Sequence, residues 1–451
     1  MTMISDLPIE IMWLILEMAL YKGRLTYLKL QLDEAALSKY REQQDLIREL
    51  GSVCRRWRSI CLEFLFEHVW IAPPSVPNTL TFRQIFDTSG LCGHSRKPPG
   101  WWTRHLYLDV GFLEPPERKA LVDHFQINNP FPNVEHLFIL DHGSKGDKEN
   151  SNVILGIYAK HLASLTLKGP VTTVRNMICR APGGLSQLQE LALEFSWSVK
   201  PSLASRDKRD PLVLPGVHTL HIRPFTRYDY LVLLDWGFPS LRTLNIYKAN
   251  ISQGDFSPFI RLYGPMLVSL SIPYWPVAPS DYIALFGACL ALERLEVLDG
   301  LWIDDDTIKL VSLEYFPIME EHCLREWTFK PFWAKSESEC FDPTLKDCTA
   351  DPKLFPSLQK IRLLSPGVDK LWSLSPNRVQ YLKDWSRALN LKGVSLVDDE
   401  DGVSIFSSTI CVGGGSDWHS SPLFPIILYS LKRATHGHHI RHMVANGSSQ
   451  A

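Results

Sequence analysis

Apolar positions along this chain follow two periods, and the change from one to the other divides it. Ile11, Leu14, Ile15 and Met18 recur at i, i+3, i+4 and i+7, which lays one apolar stripe along a helix. Pro8 suits the first turn of that helix, where a missing N–H costs nothing, and Glu10 puts negative charge near the positive end of the helix dipole. Leu46, Leu50, Val53, Trp57, Ile60, Cys61 and Phe64 repeat the spacing as a second stripe, carried by one or two helices. Two such stripes can cover each other, so a helical unit is expected. Between them Leu25, Leu28, Leu32 and Ala36 keep a helical period after Gly23. The pattern stops at Ala72-Pro73-Pro74-Ser75-Val76-Pro77, which cannot continue a helix.

From about residue 100 a different phrase recurs, apolar-x-x-apolar-x-apolar. A weak copy ends in Leu106 and Leu108, followed by Val134-Leu137-Ile139, Leu162-Leu165-Leu167, Leu188-Leu191-Leu193 and Val217-Leu220-Ile222. Leu241-Leu244-Ile246, Leu267-Leu270-Ile272, Leu292-Leu295-Val297, Leu324-Trp327-Phe329 and Leu358-Ile361-Leu363 continue it, at intervals of 24 to 34 residues. A fixed phrase at such a period predicts a solenoid. In a strand, positions four and six of the phrase point to one face and make core, while three and five point to the other. Five copies carry a proline two residues upstream, as in Phe131-Pro132-Asn133, Phe238-Pro239-Ser240 and Phe355-Pro356-Ser357. Ile283, Phe286 and Leu290, between two copies, have helical spacing and predict a returning helix. A capping helix is expected over residues 378 to 391, around Leu382 and Trp385.

Composition narrows the function. A chain of 451 residues exceeds the usual growth limit of a single core, so several domains or a repeat array are expected. A formal net charge of -2 offers no general attraction to nucleic acid or an anionic membrane. Nine cysteines without CxxC spacing predict reduced thiols, hence the cytoplasm or nucleus. No secretory leader is expected at the N-terminus, and the apolar run from Leu423 to Leu431 is too short to span a bilayer.

Leu7-Pro8-Ile9-Glu10-Ile11 followed by Val53-Cys54-Arg55-Arg56-Trp57-Arg58 resembles the two halves of an F-box, and the repeated phrase resembles leucine-rich repeats. The resemblance implies an α+β chain: an all-α F-box unit over residues 1–71 with an insertion around 21–44, a linker over 72–99, an α/β leucine-rich-repeat solenoid with a C-terminal cap over 100–395, and a flexible tail over 396–451. It further implies that the unit docks the Skp adaptor of a cullin-RING ubiquitin ligase while the repeats hold a protein substrate. The chain itself would be a non-catalytic recognition subunit without cofactor. By this resemblance the adaptor-binding positions are Leu7, Pro8, Ile11, Ile15, Val53, Cys54, Trp57, Ile60 and Leu65. The alternative is a repeat-based interaction scaffold, uncoupled from ubiquitin transfer, whose N-terminal helices only cap the solenoid.

Side chains on the strand face away from the core are the candidates for substrate contact. They include His136, Phe138, Glu190, His221, Asn245, Arg294, Glu296, Glu326, Lys360 and Arg362, a mixture of both signs that fits a protein segment rather than a polyanion. Other chemistry reads as bland. Arg55, Arg56 and Arg58 lack the aromatic interleaving of a nucleic-acid surface and are expected on a solvated helix face. His436, His438, His439 and His442 have no supporting acidic or cysteine ligands, and Asp304-Asp305-Asp306 lacks the alternation of a calcium loop. Cys340 and Cys348 lack two further ligands for zinc. Gly413-Gly414-Gly415-Ser416 has no following lysine, and Asp417 with His419 is not an oriented hydrolase pair. No metal site and no catalytic residue is therefore expected.

Overall fold

The computed structural model describes residues 8, 10–14, 34–71, 97–109, 113–141, 148–181, 184–196, 212–223, 233–247, 253–272, 285–297, 322–329, 349, 355–363 and 376–397. Residues 10–14 are helical, and the Pro8 carbonyl accepts the N–H groups of Ile11 and Met12 at 3.1 Å. Two longer helices follow, α1 (Glu34–Val53) and α2 (Arg55–Leu65). Cys54 between them is extended, with φ -157 and ψ 169, so the second apolar stripe is broken across two helices. Met12, Ile47, Trp57, Ile60, Cys61 and Phe64 make one buried core, against which Leu50, Cys54 and Leu65 pack. The helices touch closely at Gly51, where an added Cβ would lie 3.4 Å from that of Cys61. Burial at this contact, and secondly the neighbouring Cys54, pushes the Cys61 thiol up to about 11.

The expectation of an all-helical unit through residue 71 is corrected by the next element. His68–Ile71 is a strand, β1, which buries Val69 and Ile71 and pairs in parallel with β2 (His105–Asp109). Phe66, Val69 and Ile71 carry the strand phrase themselves, and Val69 and Ile71 are β-branched residues at alternate positions, which favours a pleated surface. The helical unit therefore runs straight into the sheet.

Among the described residues that sheet has twelve strands, all parallel: β1, β2, β3 (His136–Leu140), β4 (Ser164–Gly169), β5 (Glu190–Phe195), β7 (Thr219–Arg223), β9 (Thr243–Ile246), β10 (Ser269–Ile272), β11 (Arg294–Val297), β12 (Glu326–Phe329), β13 (Lys360–Leu363) and β14 (Ser395–Val397). Strand order follows sequence order throughout. A separate parallel pair joins β6 (Leu212–Val213) to β8 (Trp236–Gly237). Parallel neighbours require crossovers. Among the described residues, longer helices lie in several of these: α3 (Pro115–Asn128), α4 (Lys148–Tyr158), α5 (Val171–Arg180), α6 (Gln253–Tyr263) and α7 (Pro376–Asn390). Helix α4 packs against both α3 and α5. Within the helix expected around Ile283, residues 285–288 are helical and bury Leu285 and Phe286, whereas Leu290 is exposed.

Positions four and six of the phrase are in register from strand to strand, and Leu137, Leu165, Leu191, Leu220, Leu244, Leu270, Leu295 and Ile361 stack as one buried row. Burying one such side chain contributes roughly 1.5–3 kcal/mol. The upstream prolines also gain a physical reason. In Phe238-Pro239-Ser240-Leu241 the Leu241 N–H donates to the Phe238 carbonyl at 3.1 Å, and Leu358 donates likewise to Phe355 at 3.2 Å. Proline thus takes the second place of a four-residue turn, where its fixed φ is an advantage. The residue opening the turn is buried in Phe131, Leu185, Leu214, Phe238, Cys289 and Phe355 alike.

Helix α7 lies where the capping helix was expected and buries Leu382 and Trp385; the indole N–H of Trp385 donates to the Thr349 hydroxyl at 2.9 Å. One more strand, β14, follows it. Residues 72–96, Asp304 to Asp306, Cys340, Cys348 and the chain from residue 398 onward lie outside the described residues. Among the described residues no helix is long and apolar enough to cross a membrane.

Candidate functional site

The nine positions expected to meet an adaptor separate by burial. Trp57 and Ile60 are core, 4% and 1% exposed, and Cys54 and Leu65 pack against that core half-buried. Pro8, Ile11 and Val53 face solvent, while Leu7 and Ile15 lie outside the described residues. The extended backbone at Cys54 explains why Val53 and Trp57 part company: the helical phase is reset between them. Trp13, Leu14 and Leu46 are also exposed, alongside Ile11 and Val53. Among its described residues the small helical unit thus carries five large apolar side chains in solvent. Sequence periodicity assigned Leu14 and Leu46 to the core stripe and missed Trp13, whose ring also lies 4.8 Å from that of Phe64. Met12, between them, is the residue that is buried. Arg58 on the same unit donates from Nε to the Gly51 carbonyl at 3.3 Å, near the C-terminal end of α1, where a cation suits the helix dipole.

The second surface is the sheet face opposite the leucine rows. Register places positions three and five of every copy in two ladders, His68, His105, His136, Ser164, Glu190 and Thr219 in one, Trp70, Tyr107, Phe138, Thr166, Ala192 and His221 in the other. At the β1 end the ladders are aromatic. His68, His105 and His136 stack with ring centroids 4.1 and 4.3 Å apart, and Trp70 stacks on Tyr107 at 4.2 Å. Tyr107 and Phe138 are each 4% exposed and form a small core with Trp70 and Leu140. Phe138 was expected to face a substrate; it is instead buried, because flat rings at cross-strand spacing cover one another. Burial, and secondly the nearby His136, pushes His68 down to about 3. The side chains of Glu67, His68 and His105 bring one oxygen and two nitrogens within 4.8 Å of one another, all half-buried. The signal was in the sequence: histidine stands at position three of three successive strands.

Midway along the sheet the face is charged and internally paired. Glu190 Oε1 lies 2.9 Å from His221 Nε2, and His221 Nδ1 lies 3.2 Å from both the Tyr247 hydroxyl and Asn245 Nδ2. Burial opposes ionisation of Glu190, but the His221 hydrogen bond and charge, with His136 and Ser164, outweigh it and hold the carboxyl below its usual range. Burial and the carboxylates of Glu296 and Glu190 raise Tyr247. His221 was also expected at the surface and is buried within this network. Glu194 bridges Lys168 at 2.9 Å and Arg223 at 3.0 Å. Towards the other end Arg362 donates to Glu326 at 3.1 Å, with Lys360 3.9 Å from the same oxygen, and Arg294 is exposed. Arg294, Glu296, Glu326, Lys360 and Arg362 are therefore brought together on one face by β11, β12 and β13, while His136 and Phe138 sit far along the strand order.

The model of one known family, F-box-like, matches residues 4–72. The match takes in the helices, the exposed apolar residues and β1. No curated protein matches the chain.

Proposed function

We propose that this chain is a substrate-recognition subunit of a Skp–cullin–F-box ubiquitin ligase, with the helical unit docking the Skp adaptor and the sheet face holding a protein substrate. The observation that carries the reading is the F-box-like domain at residues 4–72 with Ile11, Trp13, Leu14, Leu46 and Val53 exposed on it. A unit this small gains nothing in its own stability from apolar side chains left in water, and such side chains mark a docking surface. The adaptor contacts are Pro8, Ile11 and Val53 of the expected set, joined by Trp13, Leu14 and Leu46; Trp57, Ile60 and Leu65 hold the unit together. The repeats are leucine-rich in kind, a parallel solenoid in which each strand and its crossover bury a face on the next. Substrate meets the half-exposed end of that face, from Arg294 to Arg362, whose mixed charge suits a protein segment. The chain performs no chemistry; ubiquitin transfer belongs to the other subunits, in the cytoplasm or nucleus.

A scaffold uncoupled from ubiquitin transfer has one observation in its favour, the pairing of β1 with β2, which makes the helical unit a cap on the sheet. Capping and docking separate in cells. Proximity labelling with the intact chain should mark adaptor and cullin subunits together with substrates, and Ile11→Asp/Val53→Asp should lose the ligase subunits while keeping the rest. Labelling that contains no ligase subunit in either case would leave the scaffold reading standing alone.

A further inference from the structure

We infer that Glu67, His68 and His105 form a binding site for one divalent transition-metal ion, zinc being the ion whose chemistry fits them best. The donor set is two imidazoles and one carboxylate, and the three donor atoms already lie within 4.8 Å of one another. A tetrahedral zinc ion with bonds of about 2.0–2.2 Å holds its ligands roughly 3.3–3.6 Å apart. Closing the site brings the donor atoms about an ångström nearer and turns the His68 ring out of its 4.1 Å stack on His105, so that the two nitrogens converge on one ion. The backbone needs no adjustment, because it is held by the sheet: the Glu67 carbonyl accepts the N–H groups of Arg104 and His105 at 3.0 Å, and His68 pairs in register with His105. Imidazole nitrogens select against magnesium and calcium, which prefer oxygen. The three side chains are half-buried, so the fourth position stays open to water. His136, stacked on His105 at 4.3 Å, packs the second imidazole in place.

The site sits two residues after the end of α2 and spans β1 and β2. An ion there ties β1, the strand that ends the F-box-like domain, to β2, its neighbour in the sheet. It requires no assumption about adaptor or substrate.

The test is zinc titration of metal-free, full-length protein by calorimetry. His436, His438, His439 and His442 are capable ligands too, so all four are replaced by asparagine in every protein compared. One equivalent of zinc should bind and raise the melting temperature. Glu67→Gln should weaken that equivalent by at least about tenfold and His105→Asn should abolish it, with circular dichroism unchanged in metal-free buffer. Cobalt(II) provides a readout that needs neither variant, since an ion held by two imidazoles and a carboxylate gives visible ligand-field absorption without thiolate charge-transfer bands. No bound equivalent, an equivalent that survives both substitutions, or a cobalt complex showing thiolate bands would each overturn the assignment.

Discussion

Val53 and Trp57 stand four positions apart in one sequence stripe, yet Val53 is 66% and Trp57 4% exposed. They should respond oppositely to substitution. Trp57→Ala removes the largest side chain of the helical core and is expected to cost about 3–5 kcal/mol in chemical denaturation. Val53→Asp should change stability by no more than about 0.5 kcal/mol while weakening adaptor binding at least about tenfold. Periodicity made Trp57 legible as core and could not make Val53 legible as surface, because the reset at Cys54 lies in a backbone angle that no side-chain pattern announces. His68 supplies a second residue-scale prediction. Its folded value near 3 lies below the ordinary 6.5, so between those limits the unfolded chain binds a proton that the fold refuses. Its neutral form is tolerated above pH 6.5, and stability falls as the pH drops through that window. Melting temperatures measured in chelator from pH 7.5 to 5 should therefore fall less steeply in His68→Gln than in the unsubstituted protein.

At the scale of elements, a recurring four-residue turn leads into β3, β5, β7, β9, β11 and β13. Its proline was visible in the sequence, but the buried residue that opens it was not, since Phe131, Leu214 and Cys289 share burial rather than chemistry. One copy holds a glycine against neighbouring backbone. In Leu214-Pro215-Gly216-Val217 a Cβ on Gly216 would lie 2.8 Å from the Leu188 carbonyl and 3.0 Å from that of Ser186, in the preceding turn. Serine occupies the matching place in Pro239-Ser240-Leu241 and Pro356-Ser357-Leu358, so a consensus repair would choose Gly216→Ser. That change should destabilise the protein by about 1–3 kcal/mol, read by denaturation, because backbone rather than a flexible side chain must give way.

For the whole molecule the informative element is β1, four residues that belong at once to the F-box-like domain and to the sheet. The recurring strand phrase marked the core positions of the large sheet's strands from β2 to β13, but not the separate pair β6 and β8. The outermost strands β1 and β14 were not read from it: β1 carries the phrase but follows a helix without a proline turn, and β14 has Gly393 at position one. Because β1 covers the edge of β2, a protein beginning at residue 78 should expose that edge and self-associate, while one beginning at residue 66 should stay monomeric by light scattering. The aromatic end of the face was illegible for a related reason, since sequence places Tyr107 and Phe138 in one row but not under each other's rings. Recognition of a partner through the exposed apolar residues of the helical unit remains the central claim. Calorimetric titration of the purified Skp adaptor into folded full-length protein tests it most directly: a one-to-one complex is predicted, weakened at least about tenfold by Ile11→Asp/Val53→Asp at unchanged circular dichroism, whereas a folded protein that neither gives heat nor co-elutes with the adaptor would contradict it.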